Sequence, residues 1–153
     1  MKLPVKLLAG LTCAGLFWSA LPTADLRADE EGEHSALHEI MEQMKDNLKR
    51  LGRSLAEPSD DLSDALHYIS EMQRLALEAK QQQPNNLDEI PEDQRGEHVK
   101  SFRRDILGAL QVMVELELAI LDGQPEQALE LLKGPLLSAR KEGHKRYQKD
   151  EEH

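Results

Sequence analysis

From residue 35 onward, apolar positions recur at helical spacing, and breaks between the runs divide the chain into four stretches. Leu37, Met41, Met44, Leu48, Leu51 and Leu55 follow one another at steps of 4, 3, 4, 3 and 4, which is the seam of a helix packed in a bundle. Ser35 is placed to cap this first helix, with His38 at its third residue. Glu57-Pro58 stops it, because a residue before proline is pushed out of the helical region. Ser59 is placed to cap the second helix, whose stripe is Leu62, Ala65 or Leu66, Ile69, Met72, Leu75 or Ala76, and Ala79. The run Gln81-Gln82-Gln83-Pro84-Asn85-Asn86 ends it. Residues 84–96 hold Pro84, Pro91 and Gly96 among acids and read as the longest connection, a loop with a short turn inside.

The third stretch carries Val99, Phe102, Ile106, Ala109 or Leu110, Met113, Leu116 and Ile120, and closes on Asp122-Gly123, a helix C-cap signal. Pro125 suits the first position of a fourth helix. Its stripe is Leu129, Leu132, Leu136, Ala139, Gly143 and Tyr147, with Pro135 inside, where a bend is expected. No stretch alternates with the period of a strand. Short links make sequential helices antiparallel. The expectation is an all-α, antiparallel up-down-up-down four-helix bundle over residues 35–149, with residues 150–153 fraying.

The first residues have a different pattern. Lys2 and Lys6 precede a charge-free apolar run over residues 7–21, followed by the small residues Ala20, Thr23 and Ala24. This is the layout of a secretory signal peptide, assigned here to residues 1–24, and the run is short for a membrane span. Residues 25–34 are acidic and read as a disordered leader. The only cysteine is Cys13, inside the signal, which excludes disulfides, cysteine zinc sites and covalently attached haem from the folded part. Asp and Glu number 29 against 19 Lys and Arg, a net charge of −10. Loss of Lys2 and Lys6 with the signal leaves 17 basic residues and a net charge of −12. Such a surface excludes nucleic acid and anionic membrane as partners and suits a redox or binding partner with a basic patch. The reading is a periplasmic, monomeric protein that is not embedded in a membrane. It contains few aromatic residues, 3%, in keeping with helices.

Candidate chemistry is sparse. No nucleophile elbow or phosphate-binding glycine loop exists, so no catalytic residue is assigned and the protein is read as not an enzyme. A di-metal bundle needs Glu-x-x-His on two helices. Glu31-Gly32-Glu33-His34 matches once, in the leader. His34 and His38, beside Glu30, Glu31, Glu33 and Glu39, offer a weak divalent-metal cluster or simply a solvated acidic N-terminus. His67 and His98 stand among polar residues and read as exposed or capping. Met41 lies on the seam of helix 1, where methionine commonly fills a core. His144 lies near the end of helix 4, at the edge of the apolar stripe, where a half-buried or capping role is the common one. Antiparallel packing puts these two residues at the same end of the bundle. A thioether facing an imidazole is also the Met/His pair that ligates low-spin haem.

Leu37-His38-Glu39-Ile40-Met41-Glu42-Gln43-Met44-Lys45-Asp46-Asn47-Leu48-Lys49 resembles the first helix of the cytochrome b562 family, which carries a Met-Glu-x-x-x-Asp-Asn-Leu-Lys run. Arg140-Lys141-Glu142-Gly143-His144-Lys145-Arg146-Tyr147 is similar to that family's last helix, Arg-x-x-x-His-x-x-Tyr. Asn86-Leu87-Asp88-Glu89-Ile90-Pro91 resembles its proline-bearing loop, and Phe102-Arg103 the opening of its third helix. The resemblance implies one non-covalent haem b per chain, axial ligation of its iron by Met41 and His144, porphyrin packing by Phe102, a propionate contact from Arg140, and one-electron transfer as the function. Two positions depart from the family pattern. Ile106 replaces a second pocket aromatic, and Gln148 replaces an arginine after the final tyrosine. A haem-free exported bundle, serving interaction, stress response or metal capture, is the alternative.

Overall fold

The computed structural model describes residues 35–57 and 61–149. All of them belong to one unit of the chain, Gly32–His153. The expected signal peptide, acidic leader, Ser59 cap and frayed tail lie outside the described residues, as do Pro58 and His34. The described residues form α1 (Ala36–Ala56), α2 (Ser63–Ala79), a 3-10 turn (Leu87–Glu89), α3 (Glu92–Leu121), α4 (Pro125–Leu131), a π turn (Leu132–Leu136) and α5 (Leu137–Tyr147). No strand occurs among them, so the class is all-α. No helix among the described residues is long and apolar enough to cross a membrane. α1 packs on α2, α2 on α3, α3 on both α4 and α5, and α1 on α4.

Local chemistry accounts for most of the boundaries. Ser35 Oγ accepts the His38 backbone N–H at 3.2 Å, satisfying one of the free donors at the start of α1. Glu57 then leaves the helix in extended geometry, at φ −86 and ψ 128. At α2 the Asp61 carboxylate accepts the Ser63 N–H at 2.9 Å, which holds this acid below its ordinary pKa. At the end of α3, Gly123 takes φ +67, Gly123 N–H donates to Ile120 C=O at 3.0 Å, and Gln124 N–H donates to Ala119 C=O at 2.9 Å. This pair of bonds is a Schellman closure, and the left-handed residue within it has to be glycine or pay a steric cost.

Three sequence expectations are corrected. The connection assigned to residues 84–96 ends earlier, because α3 starts at Glu92 with Pro91 as its N-cap. Glu92 and Asp93 favour that helix start through the positive end of the helix dipole, and Gly96 is absorbed into the helix. Around Pro135 the helix widens into the π turn, a form that dispenses with the backbone donor proline lacks. Ala128, Leu132 and Leu136 are buried at steps of 4, so Ala128 takes the inward position expected for Leu129, which is half-buried. The third correction concerns His98, described with the site.

The core has two parts. The larger gathers Leu51, Leu55, Ala65, Ile69, Met72, Ala76, Met113, Leu116, Ala119, Ile120, Ala128, Leu132 and Leu136. The smaller gathers Leu37, Ile40, Leu75, Ala79, Phe102 and Tyr147. Met44 and Ile106, both half-buried, pack against both.

Candidate functional site

A partly open cleft of about 130 Å³ lies among residues of both core clusters, with walls from α1, α3 and α5. Its apolar lining includes Leu48, Ile106, Ala109, Leu136 and Ala139. Met41, Met44, Met72 and Met113 line it too, so every methionine of the chain except Met1 faces this one space. Thioether side chains are flexible and polarisable, and a wall built of them can re-pack around an occupant.

Met41, His144, Phe102 and Arg140 all line the cleft, although residues 41 and 144 come from opposite ends of the described chain. Ile106 and Gln148, the two departures from the family pattern, line it as well. Met41 and His144 are half-buried, and no hydrogen bond or ion pair engages the His144 imidazole among the described residues. Both are donor groups that could hold a metal ion or the iron of a cofactor, and the His38 imidazole shares the lining. His38 is half-buried there, and Glu30, Glu31, Glu33 and His34 of its expected acidic cluster lie outside the described residues. Among the described residues, no group of three or more His, Cys, Asp and Glu is arranged to hold a metal.

The rim is basic. Lys45 and Arg140 line the cleft on α1 and α5. Lys45 Nζ pairs with Glu42 at 2.8 Å. That hydrogen bond lowers the Glu42 pKa, and the Lys45 and Arg140 charges add to the effect.

The end of α5, which carries His144, is held by a polar network. Asn86, buried in the connection before α3, donates from Nδ2 to Arg146 C=O at 3.0 Å. Its Oδ1 pairs with His98 Nε2, also at 3.0 Å. Tyr147 Oη donates to Asp105 Oδ2 at 2.7 Å, and Arg146 donates to the same oxygen at 2.5 Å. Burial, together with the Asp105 hydrogen bond, pushes the Tyr147 phenol above its ordinary pKa. Tyr147 stands edge-on to Phe102 and to His98, with ring centroids at 5.1 and 5.2 Å. Lys149 pairs with Asp88 at 2.7 Å, and Ser35 Oγ donates to Asn85 Oδ1 at 2.8 Å, which ties the start of α1 to the same loop. The start of α1, the loop before α3, the first half of α3 and the end of α5 therefore meet around one end of the cleft.

His98 is the third correction. It is half-buried and bound to Asn86, because α3 starts early enough to turn it inward, whereas His67 is exposed against Tyr68. Sequence reasoning gave no role to Lys45, Asn86 or Asp105. Asn86 reaches Arg146 60 positions away, Asp105 reaches Tyr147 42 positions away, and Lys45 pairs one turn away on an exposed helix face, so spacing carries no signal for any of them.

Compared with known proteins, the chain matches no family model and no curated relative.

Proposed function

We propose that this chain is an exported, soluble one-electron carrier: an antiparallel up-down-up-down four-helix bundle that holds one non-covalent haem b in the cleft. The observation that carries this reading is the meeting of Met41 and His144, a thioether and an imidazole, on the walls of one apolar cleft with a basic rim. The donor chemistry fits haem iron. When bound, the group supplies one-electron exchange at its iron. Met41 and His144 would hold the iron. Phe102 and the aliphatic wall exclude water, while Arg140 and Lys45 are placed to neutralise carboxylates at the rim. The Asn86 and Asp105 contacts fix the end of α5 and so position His144. At about 130 Å³ the cleft is smaller than the roughly 300–1,000 Å³ of common ligand sites. Loading therefore displaces wall side chains, and the four methionines are the ones best able to move.

The test is an absorption and redox titration of protein from a periplasmic extract, with and without added haem. The parent should bind haem that leaves on extraction with acidified organic solvent. Met41→Ala should retain haem with an altered spin state, a lower potential and access for added ligands. His144→Ala should lose most haem affinity. Unchanged spectra in both variants would remove these residues from the site, and no haem uptake by the parent would end the cytochrome reading.

A further inference from the structure

The cleft carries a third donor that haem ligation leaves unused. On α1, His38 stands three residues before Met41, so the two side chains are neighbours on the helix surface, with Cβ atoms about 5–6 Å apart. Both are half-buried and both line the cleft, whereas Leu37 and Ile40 beside them are buried in the smaller core cluster. Here α1 seats hydrocarbon side chains in the core and leaves an imidazole and a thioether on the open space. His144 of α5 lines the same space and is level with them. Asn85 holds Ser35 at the start of α1, and its neighbour Asn86 holds the Arg146 carbonyl. Further along α1, the Glu42 pKa is lowered first by the Lys45 hydrogen bond and then by the charges of Lys45, His38 and Arg140, so Arg140 stands near Glu42. His144 lies between Arg140 and Arg146 in α5, and hence alongside residues 35–42 of α1.

We propose that His38, Met41 and His144 form a binding site for Cu(I). A thioether is a soft ligand that selects Cu(I) among the common biological metals, and imidazole also suits copper. All three donors are neutral, and a closed-shell monovalent ion is satisfied by three of them. The surroundings disfavour divalent ions. Asp105 is the one carboxylate on the cleft lining among the described residues, and it is engaged by Tyr147 and Arg146. A divalent ion would bring two charges into an apolar space with no carboxylate to spare, and hard ions need several oxygen ligands. The rim acts in the same sense. Lys45 is paired with Glu42, but repulsion from Arg140 is twice as large for a divalent ion as for a monovalent one. This inference does not rest on haem. The two occupants exclude one another, because both would use Met41 and His144.

An anaerobic titration of the haem-free full chain with Cu(I) tests it, with bicinchoninate as a coloured competitor and Cys13→Ser to remove the one competing thiol. The protein should withdraw one equivalent of Cu(I) from the chelator, and X-ray absorption of the complex should show sulfur and nitrogen neighbours together. Met41→Leu is a swap of similar volume that removes the sulfur. It and His38→Gln should each raise the Kd by about tenfold or more while far-UV circular dichroism stays unchanged. No withdrawal of Cu(I), an absorption spectrum without sulfur, or an unchanged Kd in either variant would each overturn the proposal. Haem uptake is measured separately. A chain that binds haem and not Cu(I) refutes this inference alone, and one that binds Cu(I) through these donors and not haem supports it while ending the cytochrome reading.

Discussion

Asn86→Ala removes the residue that joins the loop before α3 to the end of α5. Two hydrogen bonds are lost: Nδ2 to Arg146 C=O and Oδ1 to His98 Nε2, both at 3.0 Å. At about 1 kcal/mol net for each, the direct cost is about 2 kcal/mol. The Arg146 carbonyl is in the last turn of α5, where no intrahelical donor reaches it, so an unsatisfied acceptor adds to the loss unless water enters. The expected total is about 2–3 kcal/mol. For a domain of this size that lowers the thermal midpoint by roughly 6–12 °C. Urea unfolding monitored by circular dichroism, with an unchanged m-value, gives the number. A double-mutant cycle with His98→Ala isolates the His98 share, which should couple by about 1 kcal/mol. An Asn86→Ala variant within 0.5 kcal/mol of the parent would refute the pinning role, and His144 would then owe its position to packing alone.

Two further outcomes follow from the same end of the molecule. The fold keeps Tyr147 protonated past the ordinary tyrosine value, so the stability it contributes is intact below about pH 10 and declines as pH rises above it, where the unfolded chain releases the proton and the folded one does not. Denaturant midpoints in that range should fall less steeply for Tyr147→Phe, and equal slopes would contradict the assignment. Gly143 lines the cleft in helical geometry, and a Cβ there would meet no atom within 4 Å. Gly143→Ala should therefore stabilise the haem-free protein by up to about 1 kcal/mol yet reduce haem affinity by filling space beside His144; improvement in both would show that the cofactor does not approach α5 there.

Much of the helical architecture is legible from spacing because the core depends on it. Ile69, Met72, Leu75, Ala76 and Ala79 of α2 are all buried, as their stripe predicts. Ser35, Gly123 and Pro125 mark element ends because each satisfies or dispenses with particular backbone groups, a local matter that local sequence records. Non-local effects are not recorded in this way. The π turn around Pro135 and the full burial of Ala128, where Leu129 is half-buried, are not foretold by the 3.6-residue period. The polar network is equally hidden, since Asn86 and Arg146 are separated by 60 positions. Met41 and His144 were legible as donor types near one end of the molecule. Their sharing of a cleft with three more methionines was not, because periodicity treats every apolar seam position as core.

The seam of α1 shows why the cleft exists at all. Its six residues are equivalent in sequence but not in burial. Leu37, Leu51 and Leu55 are buried, whereas Met41, Met44 and Leu48 between them are half-buried, and all three of these line the cleft. A bundle that packed α1 uniformly would close this gap, as it does below Leu51. Residues that would close it are within reach: larger side chains at Ala109, Ala139 or Gly143 would fill the space. The cleft is partly open to solvent, so what an occupant would cover is its apolar lining and not a sealed void. Small residues facing flexible methionines leave room there, and an occupant would gain by covering the apolar lining.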